Sequence, residues 1–598
     1  MAKKNVPIKY TSRDFESIKQ DLIEHAKRYY PNSFRDFNEA GFGALMLDTV
    51  AYVGDILSFY LDYQVNESFL NTAVEYDNVI RLAEQLGYKP QLNPTTYGIA
   101  SLFILAPAAA SGPGVDTNYL PILAKGAAFR ADNGAVFSLT EDVNFAASKH
   151  QQVVARVDPS SGTPTYYAIK ANVAVMSGQF AESSFKVGQY RKFLTLEIPS
   201  DNVTEIVSVT DSEGHQYFEV EHLSQETVYV EVPNRQDNVD SAVSILKQLP
   251  VPRRFISKNT PDGMTIQFGY GSLDQLKSDS VIDPSSVVLK QHSRDHVTDS
   301  TFDPSSLTRS NKFGVAPSNT TLYVLYRQNA VSNMNIGSNS LTSVVDASFS
   351  FNNESSLNSS TVQSVVDSLE VSNEEPILGD ITTPTSDEIK TRAKDFFAAQ
   401  NRIVTKGDYV AYVYNMPEKF GAVKRTNIVL DTDSFKRNLN LYVISEDRNQ
   451  KLINTNSLIK QNLKTWISKN KMIHDTVDIL DAKIVNLGIN YIILVNEVSN
   501  KFDVLSNVST FLKENLFNVL PDVGQSFDIS SVYSMINSVP GVVDTVDVEV
   551  VLKSGGLYSD VFYDVEGNMS YDGRLVEFPE DYIWELKYPN TDIKGSVQ

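Results

Sequence analysis

Residues 44–63 read ALMLDTVAYVGDILSFYLDY, and this stretch decides how the first part of the chain folds. Its apolar side chains recur at helical spacing without keeping to one stripe. Leu45, Leu47, Val50, Ala51, Tyr52, Ile56, Leu57, Phe59, Tyr60 and Leu61 cover most of a helix circumference. Upstream, Phe15, Ile18, Leu22, Ile23 and Ala26 form the single stripe of an amphipathic helix over 14–28, with Ser12 and Asp14 suited to its start. Downstream, Val79, Ile80, Leu82, Ala83 and Leu86 predict a third helix over about 75–86, closed by Gly87 before Pro90. Three helices in so short a span cover an all-round apolar helix poorly. Two readings therefore stand for 44–63: a core helix shielded by its neighbours, or a helix buried against other chains. In the second, Leu47, Tyr52, Ile56, Phe59 and Tyr60 are the contact residues. Residues 1–95 are expected to form a helical assembly domain.

Beyond residue 95 the period changes. Short β-branched or aromatic runs such as Ser101–Leu105, Val153–Val157 and Val228–Val232 alternate with turn residues, which predicts a β-rich domain over 96–300 with more than one sheet. Residues 331–375 hold 13 serines and 7 asparagines, yet valine, leucine and phenylalanine recur among them. The region 301–385 therefore reads as polar-faced strands and loops. Nine acids and no Lys or Arg fall between Gln328 and Ile389, which concentrates negative field there. Helical spacing returns at Ile389, Ala393 and Phe396, then at Asp408–Asn415, so 386–430 is expected to be a helical connector. Over 431–552 a strand–helix–strand pattern occurs twice, predicting tandem α+β units. The tail, 553–598, with turns at Glu566-Gly567-Asn568 and Asp572-Gly573, reads as a β-hairpin extension. The fold class expected is multidomain α+β, with an N-terminal helical unit, a β-rich middle and tandem C-terminal α+β units.

Composition narrows the chemistry. A net charge of −21 opposes binding to nucleic acid or anionic membrane surfaces. The absence of cysteine removes disulfides, thiolate nucleophiles and Cys-based metal sites. No signal sequence is read at the N-terminus, and the apolar run Ile99–Ala106 is too short to span a membrane, so a soluble chain is expected. The G-x-G pairs Gly41-Phe42-Gly43 and Gly269-Tyr270-Gly271 lack the third glycine of a phosphate-cradling loop and read as tight turns. His292 and His296 have helical ligand spacing but sit in a strand or loop context without a third ligand. The alternating oxygens of Asp564, Glu566, Asn568, Ser570 and Asp572 miss the glycine register of a calcium loop. Glu580 and Asp581, beside Trp584, are adjacent and so point to opposite faces of a strand, unlike the opposed carboxylates of a glycosidase. No catalytic, cofactor or metal residues are assigned; the expectation is a protein that is not an enzyme and holds no cofactor.

Several motifs also resemble a known family. Ala51–Tyr60 (AYVGDILSFY), Asn66–Leu70 (NESFL), Arg81-Leu82-Ala83 and Leu86–Pro90 (LGYKP) resemble the N-terminal region of baseplate wedge proteins from T-even-like contractile-tailed phages. Ala124–Phe129 leading to Phe137–Thr140, the strand and turn Ile266–Gly271, and Arg402–Tyr409 (RIVTKGDY) resemble the wider baseplate J-like family. Phe268, Gly269, Gly271, Thr405, Asp408 and Tyr409 are the motif residues, and their expected role is structural. The resemblance runs over about residues 40–550. It implies a structural wedge component, located in the tail baseplate of the virion and synthesised in the bacterial host cytoplasm. It further implies pairing as a homodimer, ring contacts around the tail tube, rearrangement on sheath contraction and host cell entry as the process served. The implied partners are the chain itself and other baseplate wedge proteins, including sheath-initiator-like and peripheral wedge subunits, with no nucleic acid and no membrane. A host-surface carbohydrate-binding or degrading tail protein is the alternative, suggested by the β-rich middle and aromatic tail.

Overall fold

The computed structural model describes residues 14–30, 41–109, 114–200, 202–233, 244–260, 263–272, 313–352, 354–379, 381–431, 438–496, 500–517 and 520–598. His292 and His296 lie outside them. The fold is multidomain α+β, and the chain divides into two compact units: residues 1–90 with 384–398, and the remainder.

The first unit holds helices α1 (Phe15–Tyr29), α2 (Phe42–Asn66), α3 (Tyr76–Gln85) and α4 (Ser386–Ala399). Asp14 caps α1 by accepting from Ser17 N–H. Helix α3 buries Val79, Ile80 and Ala83, the face its sequence spacing marks. Helix α4 starts at a reciprocal cap in which Thr385 and Glu388 each accept the other's backbone N–H. Its Phe396 lies against Gly87, which turns the chain out of α3 at φ 89°, and Tyr76 donates to the Pro384 carbonyl. The span expected as one helical connector, 386–430, is thus shared: α4 counts with the N-terminal helices, and the rest of the span with the second unit. Sequence periodicity marks a helix but not the helices it packs on.

In the second unit, two seven-stranded sheets form the β-rich middle. The first runs in the order Leu341–Asp346, Ala128–Ala131, Val136–Leu139, Pro164–Ser177, Tyr97–Pro107, Glu370–Ser372, with Gln151–Val157 also pairing with Pro164–Ser177. Ala100, Leu102, Ile104 and Ala106 alternate into its core against Phe129, Phe137 and Ile169. The second sheet runs Gln179–Val187, Thr320–Gln328, Val203–Asp211, Gln216–Glu219, Arg254–Thr260, Gly263–Phe268, Thr195–Glu197. The Ser/Asn-rich region therefore supplies strands and a short helix, Ser359–Asp367, to the first sheet rather than a body of its own. Strand Gln151–Val157 differs from the run at Ser101–Leu105, since every one of its residues is exposed on an edge.

Gly178, at φ 99°, links the two sheets: the strand ending at Ser177 belongs to the first, and the strand starting at Gln179 to the second. A Cβ there would crowd the Arg327 side chain and the Gln328 carbonyl. Arg327 is fully buried beneath this crossing. It donates to the Ser177 carbonyl, to Thr95 Oγ1 at 2.9 Å and to Glu205 Oε1 at 3.2 Å, so one guanidinium serves both sheets.

The C-terminal part repeats an α+β plan. Strand Asn438–Glu446 pairs antiparallel with Arg425–Leu430 and, across helix α6 (Ser457–Ser468), parallel with Thr476–Asp481. Strand Lys483–Val495 pairs with Val542–Lys553 across helices α7 (Lys501–Phe517) and α8 (Ile529–Asn537). Leu487, Tyr491, Val508, Leu512, Val532 and Ile536 fill the second core. The hairpin extension expected for the tail is not what forms. Tyr582–Glu585 and Ile593–Val597 both join Lys483–Val495 in parallel, so the tail completes the last sheet. The turn residues at 572–573 make only a local loop closed by the bridge Met569–Val576. The apolar spacing of Ile583, Trp584 and Ile593, all buried, carries that sheet membership.

Two buried polar features tie the second unit together. Lys424 Nζ lies 2.9 Å from Glu446 Oε1 with both side chains almost wholly buried, and Glu446 Oε2 accepts from Thr382 N–H and Oγ1–H, each at 2.8 Å. Glu418 turns its carboxylate onto Leu92 N–H and Asn259 Nδ2, while its carbonyl accepts from Thr95 N–H. Burial raises the Glu418 carboxyl to about 7, against the hydrogen bonds that favour its charged form. In the unfolded chain the group ionises near 4.5, so the folded state holds the extra proton between the two values. Its contribution to stability is therefore complete below about pH 4.5 and lost as pH rises through about 7, a fall of about 3 kcal/mol. Thermal unfolding between pH 4.5 and 7.5 should show this slope in the wild type and a flatter one in Glu418→Gln. Parallel curves would remove Glu418 from the account.

Candidate assembly interface

Among the described residues, helix α2 has little to cover it within its unit. Only Ala44 and Ala51 are fully buried. Gly54 admits α1, since a Cβ at that position would lie 3.3 Å from Ile18 Cδ1, and Lys19 reaches across to Asp48 Oδ1 at 2.8 Å. At 100° per residue, Asp48, Asp55 and Asp62 fall on the same side as Ala44 and Ala51. Leu45, Met46, Val50, Tyr52, Val53, Leu57 and Tyr60 spread over the opposite side, and all are exposed. The polarity is thus the reverse of what a solvated helix shows over the stretch that α1 covers: Asp48 pairs with Lys19 of α1, while apolar side chains on the opposite side face outward.

Of the five contact residues expected from sequence, Phe59 is 66%, Tyr60 61% and Tyr52 58% exposed, whereas Leu47 and Ile56 are half-buried. Met46 and Val53 belong to the exposed arc but were absent from the sequence reading, although their spacing alone places them there. The end of α2 is firmly held. Glu67 is buried and accepts from Val74 N–H at 2.7 Å and from Asn78 Nδ2, bonds that hold its carboxyl below the usual range. Tyr63 donates to Glu75 Oε1 at 2.6 Å, which pushes its hydroxyl up to about 12. What this face can do is bury apolar area; it carries no group placed for proton or electron transfer. Contrary to the expectation that no segment is long enough, the 25 residues of α2 are also sufficient in length and apolar character to cross a membrane.

The motif residues fall elsewhere, in the second unit. Phe268 is fully buried, edge-on to Tyr217 with ring centroids 5.4 Å apart. At Gly269 a Cβ would run into the backbone carbonyls of Phe313 and Gly314, and Gly271 N–H donates to the Gly314 carbonyl. The G-x-G at 269–271 is therefore a close backbone crossing, while Gly41 is the N-cap of α2. Thr405 and Asp408 form a capping box at the start of helix α5 (Lys406–Tyr414). Tyr409 is buried and donates to Asp475 Oδ2 at 2.9 Å, and burial raises its pKa. Removing the cap with Thr405→Ala should lower stability by about 1 kcal/mol in denaturant unfolding. A loss beyond about 2 kcal/mol would mean that Thr405 does more than cap.

The other candidate residues are drawn into structural contacts. Trp584 is buried against Phe527, Glu580 pairs with Lys406 and Asp581 with Lys483, so the imagined sugar-stacking pair is dispersed. Asp564 accepts from Gly567 N–H, and Asp572 from Ser570 Oγ–H. Among the described residues no group of three or more histidines and carboxylates is placed to hold a metal ion.

An outward apolar helix on a capped helical unit defines a surface suited to contact between chains. Residues 14–85, which include all of that surface's helices but α4, match the family model described as bacteriophage baseplate protein, N-terminal domain. The match supports a structural baseplate role and a place in the tail baseplate of a virion. No curated protein matches the sequence. Among solved structures, the chain aligns with a chain of the anti-feeding prophage (AFP) baseplate at 8% identity and a TM-score of 0.26, covering 97% of this chain and 99% of that one. It also aligns with a chain of the type VI secretion system TssK-TssF-TssG baseplate subcomplex at 8% identity and a TM-score of 0.23, covering 74% and 96%.

Proposed function

We infer that the chain is a structural wedge component of a contractile-tail baseplate, with no chemical step of its own, and that α2 is one of its assembly contacts. The observation that carries this reading is the reversed polarity of α2, with Leu45, Tyr52, Val53, Leu57, Phe59 and Tyr60 exposed. An outward face of this kind is stable in water only at a cost that burial against another helix removes. Leu45, Thr49, Tyr52, Ile56, Phe59 and Tyr63 recur at alternating steps of four and three, the spacing of a coiled-coil seam, and Met46, Val50, Val53, Leu57 and Tyr60 form a second seam beside it. Two adjacent seams suit a helix surrounded by partners in a bundle. Homodimer pairing within a wedge, ring contacts through the tandem units at 431–552 and rearrangement on contraction complete the reading, and these rest on the motif resemblance. A single isologous contact stops at a dimer, so a ring needs both regions.

Sedimentation of the purified chain alone and mixed with the other baseplate subunits tests the reading. The expected result is a dimer alone and a larger complex in the mixture. A monomer in both samples would overturn it.

A further inference from the structure

The second unit carries a feature that the assembly helix does not explain. An open cleft of about 560 Å³, within the size range of ligand pockets, lies between Lys451 and the tail segments at 557–558 and 587–591. Two lysines, Lys451 and Lys587, and two tyrosines, Tyr558 and Tyr588, line it, together with Leu557, which is 74% exposed. None of the lining residues is acidic, in a chain of net charge −21. Neither ammonium has an ion-pair partner among the described residues; Lys451 instead sits 3.6 Å from the Tyr588 ring centroid. The neighbouring acids are spent on the wall: Asp592 is buried and accepts from Tyr558 O–H at 2.5 Å and from Tyr588 N–H at 2.6 Å, Asp447 accepts from Lys451 N–H at 2.9 Å, and Glu585, which feels the Lys587 charge, is buried and accepts from Asn486 Nδ2 at 2.9 Å. Leu452 N–H donates to the buried Glu585, which fixes the tail against the strand that follows Lys451.

We propose that this cleft is a docking site for an acidic protein segment bearing an apolar side chain beside its carboxylates, a site independent of α2. The unpaired lysines supply charge complementarity, and Leu557 with the tyrosine edges supplies the apolar anchor that interface centres use. A sugar is the poorer occupant, because stacking needs a free ring face. Here Lys451 covers Tyr588, and Tyr558 meets the same ring nearly perpendicular at 5.4 Å.

Fluorescence anisotropy with the full chain tests the proposal. The probes are a labelled peptide alternating glutamate and leucine, its lysine–leucine counterpart and a labelled polygalacturonate oligomer. The glutamate peptide should bind at least about tenfold more tightly than either other probe, and about tenfold more weakly at 0.5 M than at 0.05 M salt. Lys451→Ala/Lys587→Ala should weaken it at least tenfold while the chain keeps a cooperative unfolding transition, its thermal midpoint lowered only by loss of the Lys451–Tyr588 contact. Should the double variant fold poorly, Lys587→Ala alone, at a side chain without an ion-pair partner, should give a loss of threefold or more. Equal affinity for the two peptides, preference for polygalacturonate, or no effect of the lysine substitutions would overturn the assignment.

Discussion

Replacing Tyr52, Phe59 and Tyr60 together by aspartate is expected to abolish incorporation of the chain into baseplates while leaving its own unfolding transition unchanged. All three side chains are more than half exposed in the isolated chain, so a charge there meets water and costs little. In an apolar interface each unpaired carboxylate costs several kcal/mol, and three together amount to roughly 5–10 kcal/mol, enough to dissolve most interfaces. Leu47→Asp and Ile56→Asp strike half-buried positions and would confound assembly with folding, so they make the weaker test. Incorporation of the triple variant at wild-type levels, read from purified particles, would sink the assignment of α2 as an interface.

The second large effect lies in the interior. Lys424→Met leaves Glu446 charged, buried and short of its cation, and should lower stability by about 3–5 kcal/mol in urea unfolding. The double variant Lys424→Met/Glu446→Leu should recover most of that loss, since removing both charges also removes their desolvation cost. Thr382 keeps its two bonds only in the presence of Glu446, so recovery should fall short of complete. A single-variant loss under about 1 kcal/mol would indicate that water reaches the pair.

Periodicity in the sequence was sufficient for the helices and for most strands. Helix α2 announced itself because its apolar residues exceed one stripe, and α5 was visible as helical spacing over Asp408–Asn415, whereas the reciprocal bond of its capping box emerges only in the structure. What the sequence hid is long-range partnership. Nothing in Thr320–Gln328 says that it sits between Gln179–Val187 and Val203–Asp211, and nothing in Ile593–Val597 distinguishes a strand of the last sheet from a loose hairpin. The buried Lys424–Glu446 pair was equally illegible, because a Lys and a Glu 22 positions apart look like two solvated charges until the strands bring them together. Within the candidate interface, periodicity marks the helix but not the exposure of each residue: Leu47 and Ile56 are half-buried, while Met46 and Val53 are exposed.

The order of strands in the second sheet sets a timetable for synthesis. Thr320–Gln328 fills the slot between two strands that leave the ribosome about 130 and 110 residues earlier. At roughly 5–20 residues per second, the older of those two waits roughly 7–26 s for its neighbour. During that wait both partners present unsatisfied backbone edges to solvent, the condition under which nascent chains pair wrongly or recruit chaperones. The last sheet repeats the situation on a similar scale, because Lys483–Val495 gains Ile593–Val597 about 100 residues after its own synthesis. Removing residues 593–597 should therefore lower the yield of folded chain more steeply than five residues suggest, because it leaves an edge of Lys483–Val495 open.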